Sequence, residues 1–360
     1  MNTISLFIGS GFSAPANFPT AAVLNCELQK PVYFEVSDFK ISPYSNPAFI
    51  NDFTILLKLY PSNKQFDYEE YYDFIQYLLD SQALIEPPDI LWLQIRNQYK
   101  SENNWQVIRD ILKHYQLHVA HLLIKDLNES LLEPYSKFTS SIKKWIAEGY
   151  EINIFTLNHD LLLEYLFRSS DIDFSDGFAL SNPGYYYKKA GIKQNIKMFN
   201  NVFNKPVKIL KLHGSINYFS SFDRSNYQMF QTNNSDMLDS KNDNIYTAIG
   251  EMKPVTEPQF ITGKNSKRWY PVNISSYYTA LFEKFQTLLQ QSDSLVFIGY
   301  GFKDNYIQED YLEQFFNLHK KVVVCGKDFS HEFLKFKEYL CIAKYLEELT
   351  EDDFALMVPG

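Results

Sequence analysis

The stretch Ile4-Ser5-Leu6-Phe7-Ile8-Gly9-Ser10-Gly11-Phe12-Ser13-Ala14 decides the fold. Ile4–Ile8 is a short apolar run of the kind that becomes a buried strand, and it passes directly into a turn that satisfies G-x-G-x-x-G/A. Glycines in such a turn let the backbone approach a pyrophosphate, while the following helix start offers N–H donors and the positive end of its dipole. The same turn can also be no more than a tight strand-to-helix connection. A helix is expected from about Thr20. A dehydrogenase-type site further wants an acid at the end of the second strand; Glu35, within Val32–Val36, is the candidate and fits poorly.

Strand-like runs return at Glu151–Phe155, Val207–Leu212, Ser294–Ile298 and Lys321–Cys325. Helix-like segments Asp160–Phe167, Ser275–Gln290, Asp304–Leu318 and His331–Leu340 alternate with them. That alternation implies parallel strands joined by right-handed crossovers, hence an α/β, doubly wound, Rossmann-like parallel sheet. Between Pro47 and Glu148 the periodicity changes. Phe66–Asp80, Asp89–Tyr99, Trp105–Leu127 and Leu131–Ala147 repeat apolar residues at helical spacing; in the third, Trp105, Ile108, Leu112, Tyr115, Val119 and Leu122 form one stripe. Residues 46–149 are therefore expected to be an all-helical insertion between the first and second core strands. The scaffold domain comprises residues 1–45 and 150–345. Within it, residues 219–271, rich in Asn, Ser and Asp, read as an irregular excursion near the site. Residues 346–360, with Glu347, Glu348, Glu351, Asp352 and Asp353, read as an acidic, solubilising C-terminal tail.

Three further motifs fall at strand ends. Phe155-Thr156-Leu157-Asn158-His159-Asp160-Leu161 runs from strand to helix, where Asn158 or Asp160 could simply cap the helix, but three crowded polar side chains also suit a site. In Lys211-Leu212-His213-Gly214-Ser215, a histidine at the end of an apolar strand followed by glycine points to a cleft, and imidazole can act there as a base near neutral pH. Phe297-Ile298-Gly299-Tyr300-Gly301-Phe302-Lys303-Asp304 is another strand running into a glycine turn, and Asp304 could accept from a ribose hydroxyl or cap its own helix.

In this order, G-S-G-F-S, T-x-N-x-D, K-L-H-G-S and G-Y-G-F-x-D resemble the sirtuin-type NAD-binding domain, most closely its zinc-free bacterial branch associated with defence against phage. The resemblance implies that Gly9, Ser10, Gly11 and Ser13 cradle the phosphates and ribose of NAD. It implies that Asn158 orients the nicotinamide ribose or the attacking water, that Asp160 supports that loop and that His213 is the catalytic base. Gly299, Tyr300 and Asp304 would line the adenosine side, with Gly326 near the adenine. The implied activity is that of an NAD glycohydrolase (NADase) with NAD as substrate, an antiviral effector that depletes NAD in abortive infection. A protein deacylase and a non-catalytic sensor of NAD or ADP-ribose are the alternatives.

Departures from the deacylase pattern bear on this choice. Residues 219–271 hold no cysteine, so no zinc is expected, and the first loop continues Asn17-Phe18-Pro19-Thr20 without Asp-Phe-Arg. His159 stands where the zinc-free branch usually has tyrosine, and Gly301 where it usually has serine.

The remaining composition mainly excludes. A formal net charge of −9 across 360 residues is not that of a chain built to wrap nucleic acid, and direct nucleic-acid binding is not expected. Cys26, Cys325 and Cys341 share no C-x-x-C spacing, which leaves no disulfide framework or cysteine-rich metal site. No signal peptide or membrane span is read, so a cytoplasmic chain is expected. His114, His118 and His121 share one helix face but read as exposed histidines rather than as metal ligands. Lys188, Lys189, Lys193, Lys197, Lys205, Lys208 and Lys211 read as a solvated basic face. From the resemblance, a homo-oligomer contacting through the helical block, or a HerA-like ring ATPase partner, is expected to govern activity.

Overall fold

Seven strands lie side by side and all parallel: β1 Thr3–Ile8, β2 Glu151–Thr156, β3 Phe174–Ser175, β4 Val207–Lys211, β5 Ser294–Ile298, β6 Lys321–Cys325 and β7 Leu340–Ile342. Their order is β7-β6-β5-β1-β2-β4-β3. The computed structural model describes residues 2–60, 66–80, 104–223, 226–233, 235–260, 275–318, 320–327, 329, 333–335 and 337–359. β1, β4 and β5 are buried along their whole length, which is why they read as continuous apolar runs. Leu6, Ile8, Ile154 and Val296 belong to one apolar cluster, and Phe7, Phe155, Leu295 and Phe297 to the other. The two clusters take alternate residues of the same strands, so the sheet is covered on both faces. This is the expected Rossmann-like α/β sheet, and its strand order reverses between β1 and β5.

Between β1 and β2 the chain forms helices Pro47–Leu59, Tyr68–Asp80, Asn104–Leu123, Glu129–Leu132 and Ser136–Ala147. The expected helix at Asp89–Tyr99 lies outside the described residues. Leu131–Ala147 is not one helix: a tight turn, Glu133–Tyr135, interrupts it at Pro134, which has no N–H to continue the ladder. An antiparallel hairpin, Tyr33–Ser37 with Lys40–Tyr44, precedes the helices. It covers the histidine face of helix Asn104–Leu123. The Tyr33 ring lies 3.9 Å from that of His114, and the Phe34 ring packs against His118 and His121. These histidines are therefore not exposed: His114 and His118 are buried, and Nδ1 of His114 accepts from the Phe34 N–H at 3.2 Å.

The stretch read as an irregular excursion holds strands instead. Gly214–Asp223, Asn226–Gln231, Asn244–Tyr246 and Met252–Phe260 join Phe178–Ala179, Tyr185–Lys189 and Ile192–Phe199 in a second, antiparallel sheet. Pairing of Phe230 with Met198 closes it into a barrel. Serines that read as loop form bonds within the barrel, Ser220 Oγ with Thr256 Oγ1 at 2.9 Å and Ser221 Oγ to the Pro254 carbonyl at 2.8 Å, and just before that stretch Asn217 Nδ2 donates to the Thr232 carbonyl at 3.2 Å.

Three smaller expectations are corrected. The described part of His331–Leu340 is turn and coil leading into β7. The acidic C-terminal segment is no solvated tail, because Phe354 and Met357 are buried and the Phe354 ring meets Phe138 and Trp145. In the basic stretch, Lys208 and Lys211 are buried, each paired with a carboxylate.

Candidate active site

Parallel pairing sets Ile8, Thr156, Lys211, Ile298 and Cys325 in one row across the sheet. The chain leaves this row at Gly9, Leu157, Leu212, Gly299 and Gly326, so every motif begins at the same carboxyl-terminal edge. The strand-order reversal between β1 and β5 lies in the middle of that edge, the position where open α/β sheets bind ligands.

Glycines meet at the reversal. A Cβ on Gly9 would lie 2.5 Å from the Gly299 carbonyl oxygen, and one on Gly299 would lie 2.3 Å from the Phe12 nitrogen. Gly299 also has φ +61, a conformation unfavourable to other residues. The Gly9 N–H donates to the Ile298 carbonyl at 3.1 Å and the Gly11 N–H to the Gly299 carbonyl at 3.0 Å. The first and fourth motifs are thus bonded to each other through the glycines expected to hold a cofactor. Ser10 is half-buried at the start of the helical turn Ser10–Ser13, whereas Ser13 is buried.

Asn158 is clipped to this loop. Its Nδ2 donates to the Gly9 carbonyl at 3.0 Å and to Ser13 Oγ at 3.1 Å, while its N–H donates to Thr156 Oγ1 at 3.0 Å. Ser13 also acts on Asp160, favouring its carboxylate. Asp160 Oδ1 accepts from the Leu162 N–H at 3.0 Å, starting helix Leu162–Ser169. Burial raises the pKa of Asp160, against the lowering effects of Lys211 and of these hydrogen bonds.

His213 sits in the two-residue link between β4 and the barrel strand Gly214–Asp223. Its Nε2 lies 3.2 Å from Asp304 Oδ2, and Asp304 Oδ1 caps the next helical turn by accepting from the Ile307 N–H at 3.0 Å. Burial acts to lower the imidazole pKa, but the Asp304 hydrogen bond and charge, with Glu69 and Asp73, outweigh it and leave the pKa raised. Asp304, expected on the adenosine side, is thus paired with His213. Stacked 6.2 Å from His213, the His159 ring is held near a pKa of about 3 by burial and by His213.

Two expected positions stand apart from this cluster. Tyr300 is buried among Phe7, Phe297 and Phe302, its ring centroid 4.6 Å from that of Phe7, so it is packed in the core rather than lining a surface. Gly326 follows β6, one strand beyond Gly299, and its N–H donates to the Ile342 carbonyl at 3.2 Å. Glu69 and Asp73, both on helix Tyr68–Asp80, act on His213 and gave no motif in the sequence. A lysine closing an apolar strand, Lys211, and a glutamate inside Leu161-Leu162-Leu163-Glu164-Tyr165-Leu166-Phe167 were legible as unusual, since such charges must pair when buried. Among the described residues no cluster of three or more His, Cys, Asp or Glu could hold a metal, and no helix is long and apolar enough to cross a membrane. A polar cleft of about 660 Å³, lined among others by Arg168, Lys189, Lys197 and Asp236, is bordered by none of the motif residues.

Residues 152–321, rather less than half of the chain, match the family model described as a SIR2-like domain. The match spans Asn158, His213 and Gly299–Asp304 and makes this region similar to sirtuin-type domains. A solved structure titled "Structural Basis for the Mechanism and Regulation of Sir2 Enzymes" shares 12% identity, covering 98% of this chain and 90% of that chain, with a TM-score of 0.35. So low a score carries no argument. No curated protein matches the chain.

Proposed function

We propose, starting from the likeness of residues 152–321 to a SIR2-like domain, that the protein hydrolyses the nicotinamide–ribose bond of NAD. The observation that carries this reading is the arrangement at the strand-order reversal: Asn158 fixed to the glycine loop, and a histidine–aspartate pair on the neighbouring strand ends.

The fit to NAD is specific about which groups remain to bind it. The N–H groups of Gly9, Gly11 and Phe12 already donate within the protein, so phosphate binding falls to Ser10, with the glycines providing close approach. Cleavage breaks the bond between the ribose anomeric carbon and the pyridinium nitrogen, whose electrons neutralise the departing nicotinamide. No acid is needed for the leaving group. Positive charge builds on the ribose, water attacks the anomeric carbon, and its proton must be accepted. With Nε2 of His213 paired with Asp304 Oδ2 at 3.2 Å, Nδ1 is the nitrogen assigned to accept the proton. Asn158 positions the ribose or the water. The products are nicotinamide, ADP-ribose and a proton.

On the same reading the protein belongs to the zinc-free anti-phage branch, and the helices between Pro47 and Ala147 form the inserted block through which copies of the chain, or a ring ATPase, control turnover. Incubation with NAD and measurement of free nicotinamide, beside Asn158→Ala and His213→Ala, tests the reaction. Release by the parent and its loss in both variants are expected. Full activity in both variants removes these two residues from the mechanism, and acyl-ADP-ribose formed from an acylated peptide would replace hydrolysis by deacylation.

A further inference from the structure

We infer that Lys211 is a positioning residue that holds the Asn158 loop and the His213 loop in mutual register, with Glu164 as its counter-charge. The inference rests on the hydrolysis reading given above. Lys211 ends β4, and its side chain is only 1% exposed. An ammonium group has three donors. Here two of them bond Ser215 Oγ at 2.9 Å and the carbonyl of Asp160, while the charge pairs with Glu164 Oε1 at 2.8 Å. Glu164 lies on helix Leu162–Ser169, Asp160 closes the loop that carries Asn158, and Ser215 follows His213 by two residues.

Two more bonds tie the same loops. Ser215 Oγ donates to the His159 carbonyl at 3.2 Å, and the Ile216 N–H donates to that carbonyl at 3.1 Å. One cation therefore sits beneath both reacting side chains without touching either. A buried ion pair is a poor stabiliser compared with an apolar pair of the same volume, because both charges must leave water. Orientation explains what such a group contributes here: two directed hydrogen bonds, with the counter-charge beside them, fix two loops that apolar packing would leave free to slide.

The test separates orientation from stability. Lys211→Met alone strands the Glu164 charge, so the informative variants are Lys211→Met/Glu164→Leu, which removes both charges, and Ser215→Ala, which removes one tie and no charge. The double variant is expected to unfold within a few degrees of the parent, to keep KM for NAD within about twofold, and to lose about tenfold to a hundredfold in kcat. Ser215→Ala is expected to lose kcat in the same sense and to a smaller degree. Independently of turnover, the imidazole nitrogen resonances of His213 and His159, followed against pH, should shift in both variants. A parental kcat with unmoved imidazole resonances in Ser215→Ala overturns the inference, whether or not the double variant folds. If the parent releases no nicotinamide, the hydrolysis reading fails, and the imidazole spectra still decide whether Lys211 positions the two loops.

Discussion

Asp304 serves two partners at once: Oδ2 lies 3.2 Å from His213 Nε2, while Oδ1 caps the helical turn beginning at Asn305. Asparagine caps a helix about as well as aspartate, so Asp304→Asn keeps the turn and removes the charge. The carboxylate raises the His213 pKa, and a general base works only when neutral. The acid limb of the pH–rate profile should therefore move to lower pH in Asp304→Asn. A profile that does not move separates Asp304 from the proton transfer.

Gly299→Ala should be strongly destabilising, because its Cβ would lie 2.3 Å from the Phe12 backbone nitrogen at a φ of +61. Strain of this kind costs about 1–3 kcal/mol, and the backbone-to-backbone clash adds to it. Gly191→Ala also has positive φ but meets nothing within 4 Å, which makes it the control. Chemical denaturation of both variants gives the comparison, and equal losses would deny the close approach of the two loops.

Acid should weaken the fold well above the carboxylate range. Burial, as the largest cause in each case, holds His114 and His159 near a pKa of about 3 and His118 near about 4. For each, the unfolded chain binds a proton below about pH 6.5 that the folded chain refuses until far lower pH, so the unfolded state carries more protons and stability falls as pH falls through that window. The slope is about 1.4 kcal/mol per pH unit for each histidine. His213, with its raised pKa, contributes in the opposite direction: its stabilisation is full below the unfolded value and is lost as pH rises through the folded one. His114→Phe should flatten the acid slope measured by urea unfolding between pH 6 and pH 4; an unchanged slope would show that this histidine is not held neutral.

Phe354→Ala should cost about 3–5 kcal/mol, as for a core aromatic, although it lies in a segment that reads as an acidic tail. A loss below about 0.5 kcal/mol in thermal or chemical unfolding would return residues 346–360 to the status of a tail.

How much was legible follows from which signals are local. Buried parallel strands leave continuous apolar runs, so β1, β4, β5 and β6 stand out in the sequence, and their motifs share one edge because the ladder register places Ile8, Thr156, Lys211 and Ile298 in one row. β7 has three residues and β3 two, too few for any periodicity. The barrel was missed because its Ser and Asn side chains bond neighbouring strands, a use that single-sequence pattern cannot distinguish from turn chemistry. Asn158 and His213 were singled out through resemblance and their place at strand ends, and the structure brings both to one edge of the sheet. The pairing of Asp304 with His213 was not legible, since it joins residues 91 positions apart in sequence, as the numbering 213 and 304 shows. Glu69 and Asp73 arrive from helix Tyr68–Asp80, remote in sequence from every motif strand end, and no local pattern announces that.

Ring closure of the barrel through Phe230 and Met198 also bears on how this chain can associate. A sheet grows by lending unpaired N–H and C=O groups to a newcomer, and a ring has spent most of them on itself. The parallel sheet is nearly as closed to recruitment, since its border strands offer two residues at one side and three at the other. Association through either of these two sheets must then be read in side chains rather than in main-chain ladders. That makes its contacts sensitive to single substitutions, and it spares a polar, tyrosine-rich barrel from seeding fibres when the protein is crowded.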